Sequence, residues 1–235
     1  MLSIVATPIG NLQDISVRAA KTLLQCDIIA CEDTRRTGVL LQVLRNEFPH
    51  LAIEKKPQFF SYYDQVEIKK LPVLMQYLQE GLHVALVSDA GTPLIADPGY
   101  KLVRACRYAH IPVETIPGPS SIIAALTVSG LPSHAFLFAG YPPQKQSHRL
   151  AFFKNIQSNQ VMLAPTVIFF EAPHKLSRTL VDVQTVFGDI SVTLCRELTK
   201  VHEEVEEHII SDWLQLFEQR KPRGEYVLLF SPFKK

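Results

Sequence analysis

The sequence lacks the motifs that mark several common nucleotide-binding and hydrolytic enzymes. Its first predicted strand is not followed by G-x-G-x-x-G, and G-x-x-x-x-G-K-[ST], G-x-S-x-G and H-E-x-x-H are all missing from the 235 residues. These absences argue against a nicotinamide site, a P-loop, an esterase nucleophile and a zinc protease site. The commoner Rossmann-type methyltransferase site is also unsupported.

Cysteine is scarce, and its spacing is uninformative for metal binding. The four cysteines, Cys26, Cys31, Cys106 and Cys195, contain no C-x-x-C pair. All four lie in predicted strand or helix patterns, so we expect buried thiols and neither disulfides nor zinc ligands. We therefore expect no metal site.

Long apolar runs and an excess of one charge are also missing. No apolar stretch approaches the roughly 18 residues that cross a membrane. The start, Met1–Val5, has no basic segment of the signal-peptide type. We therefore expect a cytoplasmic protein without membrane contact. Net charge is +1, from 24 basic and 23 acidic residues, which disfavours tight nonspecific binding to bare nucleic acid. An RNA partner would have to be recognised by a few local contacts.

Predicted strands and helices alternate along the whole chain, which is typical of an α/β fold. A Gly- and Pro-containing turn at Pro132 predicts two α/β domains, 1–132 and 133–235. The first is expected to hold a mainly parallel sheet. The second is expected to hold a mixed sheet, because 192–201 and 205–210 can pair as an antiparallel hairpin.

Three predicted strands of the first domain end in the same kind of Pro- and Gly-rich loop. The loops span 7–12, 88–99 and 117–121. Loops after parallel strands lie at the carboxyl edge of the sheet, where α/β proteins bind ligands, so one shared cleft is predicted. Asp89 offers an acceptor there, and Gly91 allows close approach to the main chain. The alternative is an ordinary loop followed by a helix capped by Asp97 and started by Pro98.

These loops also carry a resemblance to a known family. The motifs TPIGNL, SDAGTPLIADPG, PGPSS, EAPHK and RELTK occur in that order, and the resemblance extends from Ile4 to Leu229. Together they resemble the tetrapyrrole-methylase superfamily of S-adenosylmethionine (SAM) enzymes, and within it the members that methylate a cytidine 2′-hydroxyl in 16S rRNA. The resemblance implies a two-domain tetrapyrrole-methylase-like fold with SAM in the cleft between the domains. It also implies a homodimer, and 16S rRNA in the small ribosomal subunit as partner.

The resemblance implies which residues contact SAM. Those that match the family's motifs, either as contacts or by shaping the second loop, are Ile9, Asp89, Gly91, Thr92, Pro93, Ser121, Ile122 and Phe170. Several of these contacts would be made by the main chain. For Ile9, Ile122 and Phe170, packing in the core is an equally good interpretation.

Methyl transfer to a ribose hydroxyl needs alignment of the nucleophile and help with its proton. Polar candidates at strand ends are Glu32, Asp33, Arg35, Glu171, His174, Arg196, Glu197 and Lys200. Of these we favour Asp33, Arg35, Glu197 and Lys200 as catalytic residues that position RNA or handle a proton. Alternatively, Glu32 and Asp33 cap the following helix, and Arg196 and Glu197 pair with each other.

Other functions of the same superfamily stay open. A methyltransferase acting on a precorrin-type tetrapyrrole or on a diphthine-type residue is one alternative, although such relatives usually carry Gly-Asp-Pro where this chain has Ser88-Asp89-Ala90. A noncatalytic SAM-binding module is another, favoured by departures from the rRNA-enzyme pattern at 62–67.

An aromatic run predicts an exposed apolar patch. It comprises Phe59, Phe60, Tyr62 and Tyr63. Such a patch often marks an interface, and this one supports the expected homodimer.

Overall fold

The chain forms two compact units, which are described separately. The computed structural model describes residues 1–159 and 164–232, and its contacts divide the chain into Met1–Ser120 and Ser121–Lys235. Helix α5 (Ser121–Val128) belongs to the second unit, where the Cys195 thiol donates to the Ala125 carbonyl at 3.9 Å. A domain boundary at Pro132 stays a prediction.

The first unit is built on a parallel five-stranded sheet. Its strands are β1 (Leu2–Val5), β2 (Ile28–Cys31), β3 (Gln58–Ser61), β4 (Val84–Leu86) and β5 (Val113–Ile116), in the order β3-β2-β4-β1-β5. Every neighbouring pair is parallel, as predicted. Because β4, β1 and β5 are adjacent, the three loops that follow them begin side by side at one edge of the sheet.

Helices cover both faces of this sheet. They are α1 (Val17–Gln25), α2 (Thr34–Glu47), α3 (Glu67–Gln79) and α4 (Tyr100–Tyr108). Successive residues of β2 point to opposite faces, so Ile29 packs with α1 and α2 while Ile28 packs with α3 and α4. Ser16 caps α1 by accepting from the Ala19 amide at 3.1 Å. The three central strands β1, β2 and β4 are therefore buried on both sides, which explains their nearly unbroken apolar sequences.

Helix α4 starts two residues later than Pro98, the first helical residue in the alternative interpretation of the second loop. It begins at Tyr100 after Gly99, so Asp97 does not cap it and Pro98 does not start it. Leu94 and Ala96 have φ of 72° and 63°, which are left-handed values that interrupt a helix. The loop consequently stays irregular up to Gly99. Asp97 lies in this irregular segment, at the carboxyl edge of the sheet, and not in the helix.

The predicted aromatic patch is only partly exposed. Phe59 and Tyr63 are each 37% exposed, but Tyr62 is completely buried. The Tyr62 hydroxyl donates to the Glu67 carboxylate at 3.3 Å inside the unit. The interpretation of Tyr62 as an exposed residue is therefore wrong, because an internal hydrogen bond allows its ring to join the core.

The second unit contains a mixed five-stranded sheet. Its elements after α5 are β6 (Phe136–Phe138), α6 (Gln146–Asn159), β7 (Thr166–Glu171), α7 (Leu176–Phe187), β8 (Ser191–Arg196), β9 (Glu204–Ile209), α8 (Ile210–Gln219) and β10 (Tyr226–Phe230). The order is β6-β7-β10-β8-β9, with β6 and β7 parallel and the other pairs antiparallel. The predicted hairpin is confirmed as β8 and β9.

The four cysteines are buried free thiols, as predicted. Burial raises the pKa of Cys26 to about 12, so this thiol stays protonated at neutral pH. Within residues 1–159 and 164–232, no group of three or more His, Cys, Asp or Glu side chains is arranged to hold a metal ion. None of the helices in these residues is both long and apolar enough to span a bilayer.

Candidate functional site

The three Pro- and Gly-rich loops of the first unit contact one another. Thr7 and Gly91 form a two-way backbone bridge, with N···O distances of 2.9 and 3.0 Å. The Thr92 hydroxyl donates to the Pro119 carbonyl at 3.0 Å. The loops after β1, β4 and β5 therefore form one continuous surface at the carboxyl edge of the sheet, the place predicted for a ligand.

Glycine is required where these loops approach most closely. Gly91 has φ +84°, and a Cβ added there would lie 3.3 Å from Ile9 Cγ2 and 3.8 Å from the Pro119 carbonyl oxygen. Gly118 is equally confined, since a Cβ would lie 3.1 Å from that of Ala6. Ile9 itself is 9% exposed and packs beside Gly91, so its side chain helps to form the floor of this surface.

Asp89 joins this surface to the end of β2. One of its carboxylate oxygens accepts from the Asp33 amide at 3.2 Å, and the other accepts from the Arg36 guanidinium at 3.0 Å. Each carboxylate oxygen has a second lone pair, and the side chain is 30% exposed. Asp89 is thus held in place and can still accept from a ligand.

Carboxylates are concentrated at the same edge. Burial, followed by the charges of Asp97, Asp89 and Asp64, raises the pKa of Glu32 to about 7. Burial is also the main cause that raises the pKa of Asp97 to about 6, with smaller contributions from Asp64 and Asp89. The Glu32 carboxylate also accepts from the Asp89 amide at 3.4 Å. The edge is electronegative and favours a cationic ligand.

Asp33 and Arg35 form a local pair at the start of α2. The Asp33 carboxylate accepts from the Arg35 amide at 2.8 Å, which caps the helix as the alternative interpretation proposed. It also binds the Arg35 guanidinium at 2.8 Å, and these hydrogen bonds hold the pKa of Asp33 well below its usual range. The Arg35 side chain is 89% exposed. Arg35 thus presents a cation to the solvent, while Asp33 orients it.

Glu197 and Lys200 form a second pair, in the second unit. The Glu197 carboxylate accepts from Lys200 Nζ at 3.1 Å and from the Glu225 amide at 2.8 Å. Lys200 also donates to the Glu225 carboxylate at 2.9 Å. Arg196 binds Glu204 at 2.6 Å, so the alternative pairing of Arg196 with Glu197 is wrong. Glu197 fixes its own loop, and Lys200 is the half-exposed cation on it.

The remaining predicted cofactor residues lie at different places. Pro93 is buried in the second loop, between Thr92 and Leu94. Ser121 is the first residue of α5, and Ile122 is 6% exposed in that helix. The half-buried ring of Phe170 lies 4.9 Å from that of Phe138 and 5.4 Å from that of Tyr141, centroid to centroid. Packing accounts for much of the environment of Ile122 and Phe170.

Three polar residues near this edge were not predicted as candidate site residues from the sequence: Arg36, Asp64 and Asp97. Arg36 lies directly after the selected Arg35, yet it is Arg36 that binds Asp89. Glu171, one of the wider candidates, is 4% exposed and accepts from the Thr179 hydroxyl at 2.5 Å and from the Ala172 amide at 2.9 Å. Its contacts are internal and structural.

Comparisons with known proteins identify the family and the fold of the chain. The family model of tetrapyrrole (corrin/porphyrin) methylases matches residues 1–212. Among solved structures, uroporphyrin-III-C-methyltransferase from Thermus thermophilus aligns with a TM-score of 0.61 at 21% identity, covering 98% of this chain and 94% of that one. The methyltransferase CobJ aligns with a TM-score of 0.68 at 14% identity, covering 98% and 93%. These structural similarities show that the chain shares the fold of the two methyltransferases.

Curated relatives are much more similar in sequence. A protein of Thermotoga maritima named ribosomal RNA small subunit methyltransferase I is 41% identical, covering 98% of this chain and 97% of its own. Proteins of the same name from Haemophilus influenzae and Escherichia coli O157:H7 are each 44% identical, covering 97% and 99% of this chain and 77% and 78% of their own. The chain therefore belongs to the tetrapyrrole methylase family, and within it to the methyltransferases that carry that name.

Proposed function

We propose that this protein transfers the methyl group of SAM to the 2′-hydroxyl of a cytidine ribose in 16S rRNA of the small ribosomal subunit. The observation that carries the proposal is the near full-length match, at 41% identity, to a relative named for small-subunit rRNA methylation. The edge formed by the loops of the first unit supports the choice of cofactor.

The chemistry of that edge fits SAM. When bound, SAM supplies a methyl group already activated by its positively charged sulfonium. The carboxylates of Glu32, Asp89 and Asp97 favour the sulfonium and ammonium charges over an anionic ligand. Gly91 lets the loops after β1, β4 and β5 pack closely, because an added Cβ would lie 3.3 Å from Ile9 Cγ2 and 3.8 Å from the Pro119 carbonyl oxygen. The proposed cofactor residues are Ile9, Asp89, Gly91, Thr92, Pro93, Ser121, Ile122 and Phe170.

The four proposed catalytic residues divide into two cations and two anions. Arg35 and Lys200 are the cations proposed to contact RNA. The Arg35 side chain is 89% exposed, whereas Lys200 is 30% exposed and lies between the carboxylates of Glu197 and Glu225. Asp33 and Glu197 are positioning residues, since each binds its neighbouring cation. Glu32 is the carboxylate whose pKa, about 7, suits acceptance of a proton from a ribose hydroxyl.

The substrate assignment is tested with labelled SAM and purified protein. With few net positive charges, the protein gains little from bare RNA and should depend on the shape of the assembled particle. We expect label in 30S particles from a strain lacking the gene, and far less in protein-free 16S rRNA. Label on a cytosine base, a tetrapyrrole or a protein, with none on ribose, would favour the other functions of the superfamily.

We also propose a cytoplasmic homodimer. The resemblance to the family supports it, together with the partly exposed rings of Phe59 and Tyr63. Light scattering at micromolar protein should give twice the chain mass of 26.5 kDa. A mass equal to one chain would overturn the proposal.

A further inference from the structure

A recess of about 530 Å³ lies entirely within the second unit. Strands β8 and β9, helix α8 and the segment 220–223 supply its walls. Its volume is in the range of sites that hold ligands of nucleotide size. None of the residues proposed for SAM or for catalysis lines it.

One wall of the recess is apolar and rigid. The rings of Trp213 and Phe217 stack with centroids 5.5 Å apart and planes 24° from parallel. Trp213 is fixed because its indole N–H donates to the Val192 carbonyl at 2.9 Å. Leu216, also on this wall, is 40% exposed. Trp213 is itself 5% exposed and supports the wall from behind, so a flat apolar group would contact the half-buried ring of Phe217 and the exposed side chain of Leu216.

The opposite part of the recess is positively charged. Arg196 and Arg220 both bind Glu204, at 2.6 and 2.9 Å, and they lower its pKa to about 2. Lys221 and Arg223 are exposed, and within the described ranges 1–159 and 164–232 neither forms an ion pair. Four basic side chains and two carboxylates line the recess, so it favours an anion.

We infer that this recess binds one nucleotide of the substrate RNA, with the base against Leu216 and Phe217 and the adjoining phosphates on Lys221 and Arg223. The inference rests on the proposed function for the identity of the RNA. An apolar wall beside unpaired cations is the combination that single-stranded RNA requires, because bases stack on side chains while phosphates need positive charge. The recess shares no lining residue with the carboxylate edge of the first unit.

The proposed binding of phosphates by Lys221 and Arg223 is tested with the double variant Lys221→Ala/Arg223→Ala. Loss of two phosphate contacts should raise KM for 30S particles roughly tenfold and make the salt dependence shallower by about 1.4 in log–log slope. The affinity for SAM should not change. The matched control is Lys145→Ala/Lys154→Ala, which removes the same charge from exposed positions at helix α6. An equal effect in both double variants, or none in either, would overturn the inference.

The nature of the occupant is tested by photocrosslinking, independently of catalysis. Leu216 is replaced by p-benzoylphenylalanine, and the protein is irradiated with 30S particles. We expect a crosslink to 16S rRNA that is lost in the Lys221→Ala/Arg223→Ala background. A crosslink to a ribosomal protein, or no crosslink, contradicts the inference. Absence of ribose methylation by the unmutated protein would instead count against the proposed function.

Discussion

The guanidinium of Arg36 donates to the carboxylate of Asp89 at 3.0 Å, across 53 residues of sequence. This contact links α2, the helix that follows β2, to the loop that follows β4, and β2 and β4 are neighbours in the sheet. The backbone amide of Asp33 also donates to this carboxylate, at 3.2 Å. Asp89 is therefore oriented before any ligand arrives, which lowers the entropy cost of binding.

Asp89→Ala should weaken SAM binding. A ligand hydrogen bond to the carboxylate is lost, at a cost of about 1–3 kcal/mol. Isothermal calorimetry measures the change, and Glu218→Ala, an exposed carboxylate on α8, is the control. Equal SAM affinity in the two variants would exclude Asp89 as a cofactor ligand.

Arg35→Ala and Lys200→Ala should lower turnover more than they lower SAM affinity. Each removes a cation proposed to meet RNA, so kcat/KM for 30S particles should fall by about 1–2 kcal/mol, or roughly tenfold. Arg107→Ala, an exposed cation at the end of α4, should change neither quantity. A parallel fall in SAM affinity and turnover would contradict the proposed contact of Arg35 and Lys200 with RNA.

The stability contributed by Glu32 should depend on pH. Its pKa is raised from 4.5 to about 7 in the folded protein, so the folded state binds this proton more tightly than the unfolded state. The contribution is therefore present below about pH 4.5 and is lost as pH rises towards 7. Glu32→Gln should raise the free energy of unfolding by roughly 1 kcal/mol at about pH 8, after allowance for solvent screening, and by little at about pH 4.

Urea unfolding of Glu32→Gln and the unmutated protein at both pH values measures this difference. The comparison reports the titration of Glu32 together with its charge interactions with Asp97, Asp89 and Asp64. A gain that is the same at both pH values would show that the folded state does not raise the pKa of Glu32.

Gly99→Ala should destabilise the first unit strongly. Gly99 has φ +130°, and an added Cβ would lie 2.6 Å from Leu86 Cδ2 and 3.2 Å from Leu94. Strain and overpacking together should cost about 2–4 kcal/mol. Gly188→Ala is the matched control, because φ is +80° but nothing lies within 4 Å, and its cost should be about 1 kcal/mol. Equal melting temperatures of the two variants would contradict the role of packing at Gly99.

Much of the fold could be predicted from sequence because its strands are strongly apolar and its helices have recognisable caps. The strand Thr166–Glu171 is an almost continuous apolar and β-branched run, and α1 begins one residue after its cap Ser16. The start of α4 could not be predicted. The left-handed residues Leu94 and Ala96 carry no sequence signal, since neither residue type favours that conformation.

The location of the candidate site could be predicted from the sequence, but its individual contacts could not. Three similar loops after parallel strands indicated the edge, and the contact between Thr92 and Pro119 is consistent with it. Sequence alone could not distinguish Arg35 from Arg36. Neighbouring helix residues point about 100° apart, so which of them meets Asp89 depends on how α2 is oriented against β4.

The central claim is methylation of a 16S rRNA ribose by this protein. Its most direct test is a map of 2′-O-methylation in 16S rRNA from cells with the gene, without it, and with the gene restored. We predict one cytidine whose ribose methylation is lost on deletion and returns on restoration, and returns less completely with Asp89→Ala. An unchanged ribose methylation map in the deletion strain would contradict the account.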